Sequence, residues 1–216
     1  MPVVALGLAV RSESSPVVAA DQRLIEAATA LTRGDDTLLT ALVVWQEAFQ
    51  ARWVNLLGTA LCVVVWRRHG LRTRALWAFV TLMAAWAAAN VAKEVVRRAR
   101  PVIEDALEHA AGYSFPSGHA ANTAAAATTL TVLVWPLLGR RARVAVPAVG
   151  ATLVLLTAAD RVLLGVHFPS DVVAGIAFGV AFAGAAYVGY LHGGPTPPTR
   201  AAARPPEPSS PPGGLP

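Results

Sequence analysis

From residue 53 onward the chain alternates between long apolar runs and short polar loops. Five runs predict α-helices that cross a membrane, at residues 53–66, 75–92, 119–138, 144–164 and 172–191. A crossing needs about 20 apolar residues, and the first run is short for this, so we expect it to include residues upstream of Arg52. The pattern therefore predicts an all-α integral membrane bundle of five transmembrane helices, or six if the N-terminal region supplies another.

The two ends of the chain differ from this core, which we place at residues 51–192. Residues 1–50 contain DQRLIEAATALTRGDDTLLTALVVWQEAF, whose pattern predicts one or two amphipathic helices on the outer membrane surface. Residues 193–216 are rich in proline and lack the apolar surface that packing needs. They are predicted to form a disordered cytoplasmic tail.

Composition agrees with a protein of several membrane spans. Apolar residues make up 55% of the 216 positions and charged residues only 14%, which is far from the balance of a soluble domain. The abundance of alanine, arginine and proline is typical of a GC-rich bacterial genome. Cys62 is the single cysteine and lies inside an apolar run, which excludes an intramolecular disulfide or a cysteine-based zinc site.

The charges of the loops predict how the bundle is oriented. Residues 67–74 (RRHGLRTR) and 139–143 (GRRAR) are short, rich in arginine and free of acids, so both are expected in the cytoplasm. The loops at residues 93–117 and 161–171 must then share the opposite, extracytoplasmic side of the cell membrane. The first of these mixes cations with acids, which favours a functional site over a topology signal.

The first polar cluster, KEVVRRARP, follows the second apolar run. Lys93 and Arg100 are two helical turns apart, so both project from one face if the helix continues to Pro101, which ends it. Lys93 is also the only lysine among 18 cations. An ammonium and a guanidinium grip phosphate oxygens differently, which favours an anion site. The alternative is that the cluster anchors a helix end in lipid headgroups.

The second cluster, PSGH, stands at the head of the alanine-rich third run. Ser117 is a good N-cap residue, and Gly118 allows the backbone to approach a ligand closely. With Pro116 fixing the entry, the motif predicts an anion cradle of the size of a phosphate, with the titratable His119 at its rim. The alternative is an ordinary capped helix with an interfacial histidine.

The third cluster, DRVLLGVHFPSD, joins the last two runs. Asp171 follows His167 by four residues, so it can accept a hydrogen bond from one ring nitrogen and leave the other free as a nucleophile. Arg161 closes the preceding run. Alone, the pair is also consistent with simple helix capping, but three such clusters on one face of a membrane indicate a site.

These clusters, in this order, resemble the signature of the type-2 phosphatidic acid phosphatase superfamily, which includes lipid phosphate phosphatases and the soluble vanadium haloperoxidases. The resemblance covers residues 53–191. Two departures stand out. Asp160 replaces the serine that usually precedes the motif arginine, and it either pairs with Arg161 or Lys93 or weakens anion binding. The family's membrane members also commonly have six spans.

The resemblance implies a role for each motif residue. His167 would attack phosphorus and form a phosphohistidine, oriented by Asp171, while His119 would protonate the leaving oxygen and then activate water. The phosphate oxygens would be bound by Lys93, Arg100, Ser117, Gly118 and Arg161. No metal and no cofactor are expected, since the cations occupy the place of a magnesium ion.

The implied function is a membrane phosphatase that hydrolyses a phosphate or pyrophosphate monoester of a lipid. The candidate substrates are an isoprenoid pyrophosphate such as undecaprenyl pyrophosphate, phosphatidic acid and phosphatidylglycerophosphate. The expected partners are this lipid and the bilayer, with no nucleic acid, and the oligomeric state stays open. Two alternatives remain: a phosphotransferase that uses the same phosphohistidine, and a catalytically silent relative in which Asp160 has spoiled the site.

Overall fold

The computed structural model describes residues 15–102, 107–108 and 110–192, and these residues contain helices and no strands. The predicted disordered tail at residues 193–216 lies outside the described residues. The α-helices, in chain order, are α1 (Ser15–Arg33), α2 (Asp36–Ala48), α3 (Ala51–His69), α4 (Arg72–Val96), α5 (Gly118–Val134), α6 (Ala142–Leu163) and α7 (Pro169–His192). A short 3₁₀ turn, Trp135–Leu137, extends α5.

Four of these helices are long and apolar enough to cross a membrane, namely α4, α5 with its 3₁₀ extension, α6 and α7. A fifth span is formed if α2 and α3, which meet at an angle of 49°, are counted as one broken span. The predicted all-α membrane bundle is therefore confirmed. The short first run gains residues at both ends, because α3 begins at Ala51 and ends at His69.

Helix α5 lies at the centre of the bundle, where it contacts α3, α4, α6 and α7. Its buried face consists largely of alanine, and small side chains let neighbouring helices approach closely. The buried alanines are Ala120, Ala121, Ala124, Ala125 and Ala126. Helix α7 comes closest: a Cβ atom on Gly179 would lie 2.3 Å from the carbonyl oxygen of Ala121, and one on Gly175 only 2.6 Å from that of Ser117.

Large apolar side chains cover the outside of the bundle. Such a surface would promote aggregation in water but is the expected surface of helices in contact with lipid. Examples more than half exposed are Leu56, Leu57, Leu76, Val91, Val144, Leu155 and Leu191.

The two N-terminal helices pack against the ends of α6 and α7. Ile25 of α1 is fully buried, and the hydroxyl of Thr32 donates to the carbonyl oxygen of Leu163 at 2.9 Å. On α2, the indole nitrogen of Trp45 donates to the hydroxyl of Thr157 at 3.2 Å. The amphipathic region thus forms two helices that are attached to the bundle at the end where the polar motifs lie.

The close contact of α5 and α7 predicts that Gly179→Ala destabilises the protein. An added methyl group has to displace backbone atoms of α5, and overpacking of this kind costs about 1–3 kcal/mol. Gly184→Ala is the matched control, because nothing lies within 4 Å of its Cβ position on the same helix. We expect the melting temperature in detergent to fall for Gly179→Ala and to stay level or rise for Gly184→Ala. Equal melting temperatures would contradict the proposed packing.

Candidate active site

The three polar clusters meet at one end of the bundle. Lys93 lies in the last turn of α4, and its Cε and Nζ atoms are 3.5 and 3.6 Å from the Cβ position of Gly118 at the start of α5. The amide of Ser117 donates to the carbonyl oxygen of Asp171 at 2.9 Å. Arg100 Nη1 lies 3.4 Å from His167 Nε2. The predicted site residues are therefore neighbours, although they come from three separate parts of the chain.

His167 lies in the loop between α6 and α7 and is only 3% exposed. Its Nδ1 atom is 3.6 Å from Asp171 Oδ2, which is too long for the direct hydrogen bond that we predicted. Ser114 bridges the gap: its Oγ is 3.3 Å from His167 Nδ1 and donates to Asp171 Oδ2. This arrangement directs Nδ1 towards the carboxylate and leaves Nε2 facing Arg100.

The buried position of His167 also sets its protonation state. Burial lowers the pKa of His167 from 6.5 to about 4, even though the negative charge of Asp171 acts in the opposite direction. The imidazole is therefore neutral at physiological pH. The Ser114 hydroxyl donates its own proton to Asp171, so it accepts a hydrogen bond from His167 Nδ1. The ring proton of the neutral imidazole is therefore on Nδ1, and the lone pair is on Nε2.

Arg100 reaches the site by a different path from the one predicted. Helix α4 ends at Val96, and Arg97 adopts a left-handed conformation with φ 53°, so Lys93 and Arg100 do not share a helical face. Instead, an irregular segment carries Arg100 to three backbone carbonyls, those of Ala111, Gly112 and Val166. These bonds hold the guanidinium beside His167. They replace the helical geometry that the spacing had indicated.

Burial lowers the pKa of Arg100 from its ordinary value, the charge of Asp171 acts in the opposite direction, and nearby Arg161 lowers it further. Because the net shift is downward, Asp171 only partly compensates for the water that the guanidinium has lost. An anion bound beside Arg100 would supply the remaining counter-charge.

Ser117 occupies the N-cap position of α5, as predicted, but its side chain caps nothing. Its hydroxyl is completely buried and has no hydrogen-bond partner. A buried polar atom without a partner usually requires an explanation, because it has lost its bonds to water. Ser117 directly precedes Gly118, whose Cβ position lies 3.6 Å from Lys93 Nζ.

His119 shows the same property. Its Nε2 atom is buried without a partner, while the ring also meets the backbone of Gln46. With Lys93 and Gly118 it lines a cavity of about 180 Å³, whose other walls include the apolar Trp86 and Ala89. One side of this cavity is therefore polar and the other is suited to hydrocarbon.

Arg161 and Asp160 form a buried ion pair in the last turn of α6. The Nε atom of Arg161 donates to Asp160 Oδ2 at 2.7 Å, and its Nη2 donates to Gln46 Oε1 at 2.9 Å as well as to the same carboxylate. Asp160 thus pairs with Arg161, one of the two arrangements that the sequence allowed. Because both side chains are at most 3% exposed, the pair neutralises a charge that would otherwise be costly to bury.

Sequence reasoning missed several polar residues that support the site. Asp21, Gln46, Arg98, Ser114 and Ser170 all hydrogen-bond to motif residues or to one another. Ser114 lies three residues before Ser117 and could have been found by its proximity to PSGH. Asp21 and Gln46 come from the first two helices, and no local spacing connects them with the motifs.

Within the described ranges, no three histidine, cysteine, aspartate or glutamate side chains gather in a way that could hold a metal ion. The polar side chains that line the cavity are instead the ammonium of Lys93, the imidazole of His119 and the amide of Asn90. That set is chemically suited to an oxyanion such as phosphate.

Comparison with known proteins agrees with this picture. The model of the PAP2 superfamily matches residues 74–192, which include every predicted site residue. Decaprenylphosphoryl-5-phosphoribose phosphatase from Mycobacterium tuberculosis is 42% identical over 98 residues, which are 44% of this chain and 49% of the relative. Lipid A 1-phosphatase from Rhizobium etli is 37% identical over 110 residues, 47% of this chain and 44% of the relative. The chain thus matches about half the length of these curated relatives.

A solved structure shows the same fold over a longer range. The crystal structure of a transmembrane PAP2-type phosphatidylglycerolphosphate phosphatase from Bacillus subtilis superposes with a TM-score of 0.78. The alignment covers 88% of this chain and 95% of that one, at 21% sequence identity. This chain is therefore a multi-pass membrane protein with that helical architecture.

The buried position of His167 predicts that its imidazole stays neutral at pH values well below the ordinary pKa of histidine. Its pKa in the folded protein, about 4, lies below the ordinary 6.5, so protons bind better to the unfolded chain. Folded stability should therefore decline as the pH falls from about 6.5 towards 4. NMR of protein labelled with ¹⁵N-histidine, with His167→Gln to assign the signal, would measure the titration. A midpoint at or above the ordinary value would contradict the buried, neutral state.

Proposed function

The chain belongs to the PAP2 superfamily, and on this basis we propose that it is a membrane phosphatase that removes a phosphoryl group from a lipid through a phosphohistidine. The observation that carries the proposal is the environment of His167. Its neutral imidazole has Nδ1 directed towards Ser114 and Asp171, and its free Nε2 faces Arg100. A nucleophile aimed at a cation-lined anion site is the arrangement that phosphoryl transfer requires.

In the first step, the lone pair of His167 Nε2 attacks the terminal phosphorus and the bond from this phosphorus to the bridging oxygen breaks. His119, protonated at Nε2, gives its proton to that oxygen. The leaving group is an alcohol when the substrate is a monoester and a lipid monophosphate when it is a pyrophosphate. The unpartnered Nε2 of His119 supports this role because no protein group competes for it. Positive charge that develops on His167 is stabilised by Asp171 through the Ser114 hydroxyl.

In the second step, a water molecule attacks phosphorus while neutral His119 accepts its proton. The bond between phosphorus and His167 Nε2 breaks, inorganic phosphate leaves, and both histidines return to their starting states. Each step therefore begins with the protonation state of His119 that the previous step produced.

The phosphoryl oxygens carry the charge that the protein has to stabilise. We assign this task to the unpartnered Ser117 hydroxyl, to the Lys93 ammonium, which lies at Gly118 and donates to the carbonyl oxygen of Tyr113 at 3.3 Å, and to the guanidinium groups of Arg100 and Arg161. Arg100 and Arg161 are held in place by carbonyls and by Asp160, so little reorganisation is needed when the anion binds. We propose that these cations replace a metal ion.

The substrate is proposed to be a phosphate ester carried on a large lipid. The cavity beside His119 supports this, since it joins an ammonium and an imidazole to the apolar Trp86 and Ala89. The names of the relatives point to the same class: one removes phosphate from a decaprenylphosphoryl sugar and another from lipid A. A polyprenyl-linked phosphate or pyrophosphate is therefore our first candidate, ahead of phosphatidic acid and phosphatidylglycerophosphate.

The proposal predicts metal-independent phosphate release by the purified protein in detergent. We expect His167→Ala to lower kcat by at least about 1000-fold, because it removes the nucleophile. The exposed His192 at the end of α7 gives the control His192→Ala, which should keep full activity. The three candidate substrates would be compared with chelator present, and vanadate should inhibit. Full activity of His167→Ala would overturn the mechanism.

The same assay separates the alternatives. A radiolabelled donor that yields labelled lipid or sugar instead of free phosphate would identify a phosphotransferase. No turnover by the natural protein, together with turnover by Asp160→Ser, would identify a silent relative.

We also propose that the site faces away from the cytoplasm. The arginine-rich loops 67–74 and 139–143 join the helix ends opposite the site, since α4 and α6 run from these loops towards Lys93 and Arg161. The positive-inside rule then puts the site in the extracytoplasmic half of the cell membrane.

Cysteine labelling on intact cells tests the orientation. In a Cys62→Ala background, we expect Ala111→Cys, exposed beside the site, to react with a membrane-impermeant thiol reagent. Thr73→Cys, exposed in an arginine-rich loop, should react only after permeabilisation. The reverse pattern would place the histidines in the cytoplasm.

A further inference from the structure

Arg98 is a buried cation that the phosphoryl-transfer mechanism does not use. It lies two residues before Arg100, and only 10% of its side chain is exposed. Its Nη1 donates to Asp171 Oδ1 at 2.5 Å and to Ser170 Oγ at 2.7 Å. The guanidinium also lies over the ring of Phe168, with 4.2 Å between its Cζ and the ring centroid. Arg98 therefore binds Asp171 Oδ1, the carboxylate oxygen that does not face His167.

Asp21 of α1 holds the other side of Arg98. Its Oδ2 accepts from Arg98 Nη2 at 2.7 Å and from the hydroxyl of Ser170. Its Oδ1 accepts from the amide of Ser170 at 3.0 Å. Only 4% of the Asp21 side chain is exposed, so this carboxylate is committed to Arg98 and to the first turn of α7.

These contacts form a continuous series from the N-terminal helix to Nδ1 of the His167 ring, the nitrogen opposite the reactive Nε2. Asp21 fixes Arg98, Arg98 fixes one oxygen of Asp171, and the other oxygen of Asp171 accepts from Ser114 beside His167 Nδ1. A buried guanidinium between two carboxylates has little freedom to move, because leaving either one would expose an unpaired buried charge.

We propose that Asp21 is a positioning residue for the phosphoryl-transfer step. It acts through Arg98 and Asp171 to hold the His167 imidazole in the orientation for attack, and it touches neither substrate nor phosphorus. This inference rests on the proposed phosphatase function. It extends the functional site to helix α1, which lies before the matched family region of residues 74–192.

The competing explanation is that Asp21 only caps α7, since it accepts the amide of Ser170 in the first turn. Loss of a cap costs about 1 kcal/mol of stability and would not change the chemistry of the protein that remains folded. The two explanations differ in kcat. Displacement of a nucleophile by about 1 Å can lower the rate about 100-fold.

Turnover of a lipid phosphate by Asp21→Ala and Asp21→Asn tests the proposal. We expect kcat to fall by about 10- to 100-fold in Asp21→Ala and less in Asp21→Asn, which can still accept the Ser170 amide. KM should stay within about twofold, because Lys93, Arg100 and Ser117 are untouched. Glu26→Ala is the matched control: it removes an exposed carboxylate from the same helix and should leave both constants unchanged.

A double-mutant cycle shows whether Asp21 acts through Arg98. If it does, Asp21→Asn should slow the natural protein but cause no further loss in an Arg98→Gln background. Melting temperatures of all variants, measured in parallel, separate a change in kcat from a loss of folded protein. Unchanged kcat in Asp21→Ala, or independent and additive effects of the two substitutions, would overturn the proposal.

The ¹⁵N signal of His167 Nδ1 supplies a readout that does not depend on turnover. We expect it to shift or broaden in Asp21→Asn and to stay unchanged in Glu26→Ala. If the natural protein releases no phosphate, the proposed function fails, yet this signal still tests the contact series. An unperturbed signal in Asp21→Asn would overturn the positioning role even if the natural protein is an active phosphatase.

Discussion

Charged side chains buried at the end of an apolar bundle have to be paired, and this requirement organises the rest of the structure. Burial of an unpaired charge costs several kcal/mol, so each cation at the site has partners that hold it in one place. Arg161 is fixed by Asp160, Arg98 by two carboxylates, and Arg100 by backbone carbonyls. Among the buried side-chain atoms without a partner, Ser117 Oγ and His119 Nε2 belong to the PSGH motif, and Asp160 Oδ1 lies in the ion pair with Arg161. The two PSGH atoms are the ones that we propose for a ligand.

This polar end can form only because the helices beneath it come very close together. Gly175 has no room for a Cβ, which would lie 2.6 Å from the carbonyl oxygen of Ser117. The same approach of α5 and α7 allows the amide of Ser117 to donate to the carbonyl oxygen of Asp171. Small residues in the membrane interior therefore do more than improve packing. They set the distance between the PSGH motif and the loop that carries His167.

The spans and the motif residues could be predicted from sequence because each depends on local information. Apolar length identifies a helix that crosses a membrane, and motif spacing identified Lys93, His119 and His167 as neighbours. The predicted end of α4 was wrong: the spacing indicated Pro101 as the terminator, whereas the helix ends at Val96 and Arg97 adopts a left-handed conformation. The predicted direct hydrogen bond between His167 and Asp171 was also wrong. A spacing of four residues cannot reveal that the hydroxyl of Ser114 lies between the two side chains.

Contacts from outside the matched family region hold two of the site's cations in place. The family match begins at residue 74, yet Arg161 is held by Gln46 and Arg98 by Asp21. The motif supplies the cations, and hydrogen bonds to these distant partners orient the guanidinium groups and restrict their movement. His119 also meets the backbone of Gln46, so α2 influences the group proposed to protonate the leaving lipid. Because this contact comes from outside residues 74–192, we expect substitutions in α2 to alter proton transfer by His119 without any change at His167.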